Sequence, residues 1–220
     1  MGPALKEVLS QIALMVSALF PIVNPLGSAP IFLTLTGSVS RSQRKTLSGM
    51  VARNSFFLLL GSILIGSHVL SVFGISLPIV QVGGGLVVIS TGWTMLKSED
   101  ENDRKQIQPS AEAKLMLRKT FYPLTLPLTV GPGSISVAVT LGANATHPGG
   151  GRLVLALLAA VAASLVVSVS VFLCYTFADR VVKLLGPSGA SVIMRLSAFL
   201  LMCIGLQIVW NGMSALVRTL

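Results

Sequence analysis

Two short segments bring proline, glycine, amide and hydroxyl groups together in otherwise apolar surroundings. One is Phe20-Pro21-Ile22-Val23-Asn24-Pro25-Leu26-Gly27-Ser28-Ala29-Pro30; the other is Tyr122-Pro123-Leu124-Thr125-Leu126-Pro127-Leu128-Thr129-Val130-Gly131-Pro132-Gly133-Ser134. Each internal proline removes a backbone N–H and clashes with the carbonyl four residues back, so a helix running through either segment must break. A break frees carbonyls upstream and opens a helix N-terminus downstream, with about half a positive charge on its N–H groups. A carboxylate suits such an end, and the carbonyls released by Pro25 and Pro127 suit an ammonium group. In the first segment Ser28 is the expected cap, with Pro30 in the first turn. In the second, Gly131 precedes Pro132 at the first helical position, where proline is favoured. Asn24, Ser28, Thr125, Thr129 and Ser134 supply polar contacts, while Pro25, Gly27, Pro127, Gly131, Pro132 and Gly133 shape the backbone. The competing reading is that the breaks only kink helices for packing, with Asn24 bonded to its own backbone.

The elements that carry these segments follow from composition. The chain has 220 residues, of which 53% are apolar and only 10% charged, and its mean hydropathy is +0.84. A soluble domain carries about 25% charged residues. These values exclude a soluble enzyme, a disordered chain and a disulfide-rich mini-protein, and they imply an integral membrane protein. The net charge of +9 would suggest nucleic acid in a soluble protein. Here the basic residues sit between apolar runs without interleaved aromatics, so no nucleic-acid partner is expected. No GxSxG, HExxH, phosphate loop or Cys/His cluster is present, so neither an enzyme nor a bound cofactor is expected.

A helix crosses a bilayer with about 20 residues. The uncharged stretches then divide into six spans, at Ser10–Leu35, Thr46–Val72, Leu77–Leu96, Phe121–Ala143, Leu153–Phe177 and Ser191–Val217. The basic residues distribute 3 against 13 between the two sides of this arrangement. The positive-inside effect therefore places both termini outside the cytoplasm. The polar stretch over 97–119 reads as a cytoplasmic linker between a first three-span unit, 1–96, and a second, 120–220.

The two units resemble each other through the shared aromatic-Pro-x-x-x-Pro pattern. With three spans each, the second enters the membrane from the opposite side, which is the inverted-repeat plan of many secondary transporters. The expected architecture is all-α, with six transmembrane helices in two inverted three-helix repeats whose first and fourth helices are broken. Paired breaks at membrane depth mark a midplane binding site. All seven acidic residues lie near span ends or in loops, so a small zwitterionic or neutral polar solute fits better than a cation. A coupling ion, sodium or a proton, stays open. Gln81, Gly84 and Arg195 are candidate pathway residues; the competing readings are a hydrogen bond across helices for Gln81, close helix packing for Gly84, and snorkelling to the inner face for Arg195. Other architectures of function consistent with this pattern are a channel or exporter for another small solute and a non-transporting membrane scaffold.

Four runs carry a family resemblance: FPIVNPLGSAPIFLTLT, LPIVQVGGGLVVISTGWTML, LTLPLTVGPGSI and MRLSAFLLMCIGLQIVWNG. They resemble the MarC family of six-span prokaryotic inner-membrane proteins, and the likeness covers nearly the whole chain. The resemblance implies an inner-membrane location. Because some related members are classed as neutral amino acid transporters, it also implies transport of small residues such as glycine and alanine. Its motif positions are Asn24, Pro25, Gly27, Pro127, Gly131, Pro132 and Gly133.

Overall fold

The computed structural model describes residues 3–37, 39–97, 120–145 and 150–218. The linker expected over 97–119 falls, apart from Lys97, outside the described residues. The described residues are helical throughout, in the order α1 (Pro3–Val23), α2 (Pro25–Leu35), α3 (Arg41–Val72), α4 (Leu77–Lys97), a π-helical segment (Thr120–Thr129), α5 (Pro132–Ala145), α6 (Gly150–Thr176) and α7 (Ala178–Val217). Five stretches are long and apolar enough to cross a bilayer, with α1 and α2 counted together as Ala4–Leu35. A sixth span results if the π segment and α5, bent by 68° at their junction, are taken as one.

Local chemistry sets the ends. α3 begins at a capping box: Ser40 Oγ accepts from the Gln43 N–H, and Gln43 Oε1 accepts from the Ser40 N–H at 3.1 Å. That satisfies donors which a helix start would otherwise leave orphaned. The short turn from α3 to α4 passes through Gly74 at φ 66°, a left-handed conformation that costs glycine nothing. Gly186, at φ 65° and ψ 174°, interrupts α7 near its start. The helical chain therefore extends upstream of the sixth span expected at Ser191, with the glycine as the joint.

The interior is filled by Leu19, Val23, Phe32, Val51, Leu59, Val130, Val167, Val171 and Tyr175, all at 1% exposure or less. The outer faces are also apolar: Phe57, Leu165, Phe199 and Leu206 are each more than half exposed. Helices that are apolar all round belong in lipid rather than water.

α3 packs on α5, α6 and the π segment; α1 and α2 pack on α6; α4 lies along α7. The α4–α7 contact is made backbone to backbone. A Cβ on Gly85 would sit 2.7 Å from the Gly205 carbonyl, and one on Gly205 would sit 2.8 Å from the Gly85 carbonyl. Gly92 lies on the Ala198 carbonyl and Gly212 on the Pro78 carbonyl. Advancing along α4 thus means retreating along α7, so the two helices run antiparallel. Each contact has a counterpart with the helices exchanged: Gly92 faces Met202 as Gly212 faces Val82, and Gly85 faces Val209 as Gly205 faces Ile89.

Candidate functional site

Both expected breaks are present, and each falls on the residue before the second proline of its motif. Asn24 adopts a left-handed conformation, φ 46° and ψ 58°. Leu126 is extended, φ −110° and ψ 128°. Their repair differs. At the first break Asn24, not Ser28, is the cap: its Oδ1 accepts from the Gly27 N–H at 3.1 Å, and Pro25 takes the first helical turn. Asparagine tolerates the left-handed region and carries a capping oxygen, so one residue both turns the chain and restarts the helix. Gly27 is required beneath it, because a Cβ there would collide with the Asn24 side chain. The α2 terminus is thus largely satisfied by its own chain.

The second break is wider. Leu126 is followed by a cis bond to Pro127, and regular helix resumes only at Pro132, after Gly131 as expected. Between them the backbone takes i→i+5 spacing: the Val130 N–H reaches the Thr125 carbonyl at 2.8 Å. Two hydroxyls repeat that spacing. Thr125 Oγ1 donates to the Thr120 carbonyl at 2.8 Å, and Thr129 Oγ1 to the Leu124 carbonyl at 2.7 Å. Threonine side chains thereby stand in for absent backbone donors, as apolar surroundings demand. The α5 terminus has no capping side chain at Gly131, so the N–H groups of Gly133 and Ser134 are the open donors of the pair.

Tyr175, near the end of α6, joins the two breaks. Its hydroxyl lies 2.9 Å from Thr129 Oγ1 and borders the Ser28 hydroxyl. Its ring stacks on Phe32 of α2, with centroids 4.3 Å apart. Thr125 also receives Asn54 Nδ2 of α3 at 3.3 Å. All of Asn24, Ser28, Thr125, Thr129 and Tyr175 are buried. Asn24 Nδ2, Ser55 Oγ, Ser164 Oγ and Ser168 Oγ are buried without a hydrogen-bond partner. Unsatisfied buried polar groups are costly, and their presence calls for an explanation.

The structure therefore brings Ser28 and Thr129 together at Tyr175, while Thr125 of the same segment meets Asn54. Gly84 and Gly133 meet elsewhere, at the α4–α5 seam: a Cβ on Gly133 would strike Val88 and lie 3.5 Å from the Gly84 carbonyl. Ser134 Oγ donates locally to the Gly131 carbonyl at 2.9 Å. Pro25 is buried, whereas Pro127 and Pro132 point outward. Gln81 is half-buried against Gly212, a packing role. Arg195 is exposed on α7 and lines no part of the cluster. Tyr175 and Phe32 at the cluster, and Asn54 at Thr125, carry no signal in the sequence spacing. Tyr175 was the findable one, since a buried tyrosine hydroxyl in an apolar span needs a polar partner.

An all-helical bundle with apolar outer faces and interrupted spans is a multi-pass integral membrane protein. The chain belongs to the MarC family: the family model, described as MarC family integral membrane protein, matches residues 9–217. Among its relatives is the UPF0056 inner membrane protein MarC of Salmonella typhimurium (strain LT2), 28% identical over 219 residues, covering 98% of this chain and 99% of the relative. The protein of the same name from Citrobacter koseri is 29% identical over 223 residues with the same coverage. The one from Escherichia coli O1:K1 / APEC is 28% identical over 217 residues, covering 97% and 98%. No solved structure matches the chain.

Proposed function

We propose that the protein is a secondary transporter for small neutral amino acids such as glycine and alanine. It works by alternating access around the two breaks. The observation that carries this reading is the buried polar cluster in which Tyr175 connects Ser28 of the first broken span to Thr129 of the second. The unpartnered Nδ2 of Asn24, whose backbone carbonyl accepts from the Ser28 N–H, supplies a hydrogen bond that a small zwitterion can use. The uncapped α5 terminus at Gly133 and Ser134 suits the carboxylate.

The mechanism rests on two inverted three-helix repeats. In support, the packing keeps its pattern when the halves are exchanged: α1 and α2 lie on α6 as α5 and the π segment lie on α3, while α3 meets α6 and α4 meets α7. The antiparallel, mutually exchanged contacts of α4 and α7 favour the same arrangement. Both termini lie outside the cytoplasm in this reading; the gathering of Arg41, Arg44, Lys45, Arg180 and Lys183 at one end of the bundle supports it. Uptake of labelled glycine or alanine into proteoliposomes tests the reading, with Asn24→Ala and Gly133→Leu as comparison. Equal signals from the native protein, both variants and empty vesicles would end it.

One observation favours a second reading, a non-transporting scaffold: in this conformation the stacked rings of Phe32 and Tyr175 fill the space beside the breaks. Cysteines placed at Asn24 and Gly133 decide between them. A scaffold shields both from aqueous thiol reagents on either side, whereas a transporter exposes at least one.

A further inference from the structure

A second polar feature lies away from the breaks, at the end of the bundle where α3 and α7 begin. There a cavity of about 220 Å³ is lined by Arg41, Arg44, Lys45, Asp179, Arg180 and Lys183, among others. Its single acidic group is already engaged: Asp179 accepts from Arg44 Nη1 at 2.6 Å, with Arg41 at 3.9 Å. Lys45, Arg180 and Lys183 thus face the cavity with no acidic partner among the residues lining it. Arg44 is only 8% exposed, and its fork is fixed, with Nη2 donating to the Thr36 carbonyl at 3.2 Å. Its Nε is buried with no acceptor. Arg44 thus anchors Asp179 and the Thr36 carbonyl and leaves the exposed basic groups of the cavity uncompensated, where an oxyanion is favoured. The ends of α2 and α6 meet the starts of α3 and α7 here, so the positive potential comes from the side chains rather than from helix dipoles.

We propose that this cavity binds a phosphate-bearing anion. Two sources share that chemistry, the headgroup of an anionic lipid and free phosphate. Basic pockets between membrane helices take such headgroups. The site is independent of the transport reading, because it shares no residue with the cluster around Tyr175.

The test uses the purified full-length protein in detergent and follows its thermal unfolding. One arm titrates short-chain phosphatidylglycerol against phosphatidylcholine of the same chain length. The other titrates inorganic phosphate against chloride at matched ionic strength. Stabilisation by phosphatidylglycerol alone assigns the site to a lipid headgroup; stabilisation by inorganic phosphate as well assigns it to the free anion. In either case the Lys45→Gln/Arg180→Gln/Lys183→Gln variant weakens apparent affinity on the order of a hundredfold. Arg218→Gln, outside the cavity, leaves it unchanged. Equal stabilisation of native protein and triple variant, or no stabilisation of the native protein by either anion, overturns the proposal.

Discussion

The hydroxyls of Thr129 and Tyr175 lie 2.9 Å apart, although the residues are separated by 46 positions and belong to different elements. The bond ties a non-helical stretch to a continuous membrane helix. Thr129 Oγ1 is shared, since it also caps the Leu124 carbonyl at 2.7 Å. Tyr175→Phe deletes one oxygen and keeps the ring stack on Phe32. Unfolding in detergent should show a loss of about 1 kcal/mol, the usual net value of one hydrogen bond. Tyr175→Ala removes the stack as well and should cost about 3–5 kcal/mol. If the two variants are equally stable, the ring is not part of the core.

Asn24 combines a left-handed backbone with a capping side chain, so its substitutions separate the two contributions. Asn24→Gly keeps the conformation and loses the cap, a cost of a few tenths of a kcal/mol. Asn24→Ala loses the cap and adds left-handed strain, a cost of about 2 kcal/mol or more. The thermal unfolding order should therefore be native, then Gly, then Ala. An Ala variant more stable than the Gly variant would contradict the geometry at this break.

The α4–α7 seam predicts a sharp positional contrast. Gly83 faces open space, while Gly85 lies on the Gly205 backbone. Gly83→Ala should be tolerated, whereas Gly85→Ala forces the helices apart and should cost about 1–3 kcal/mol. Paired cysteines at Pro78 and Gly212 should cross-link, because the Pro78 carbonyl lies against Gly212. Cysteines at Pro78 and Ala198 should not, and the reverse outcome would mean parallel helices.

At the basic end, Arg44 is buried and Arg41 is not: their side chains are 9% and 83% exposed. Asp179→Asn leaves a buried guanidinium uncompensated and should destabilise by about 3 kcal/mol. Arg41→Gln should fall within about 0.5 kcal/mol of the native protein, as exposed ion pairs contribute little. Chemical unfolding of the two variants side by side checks the contrast.

The breaks were legible because proline acts locally: Pro25 and Pro127 forbid helix wherever the chain places them. The restart at Gly131–Pro132 was legible for the same reason. The other restart was not. Ser28 and Asn24 both suit a cap, and only the left-handed backbone at Asn24 decides between them. Tyr175 was hidden in an apolar run because its partners come from distant elements, and sequence spacing does not report which face of α6 meets them. The placements of Gln81, against Gly212, and of Arg195, on the exposed face of α7, were not legible for a related reason. In a span that is apolar all round, periodicity does not distinguish the side toward neighbours from the side toward lipid.

The glycine seam between α4 and α7 has a mechanical consequence. Side chains that interlock act as teeth and resist displacement along the helix axis as well as away from it. Along this seam each glycine is a socket for a side chain of the other helix, Gly85 for Val209 and Gly205 for Ile89. Such a joint resists gliding as well as separation, so α4 and α7 are held in one register and travel as a single body.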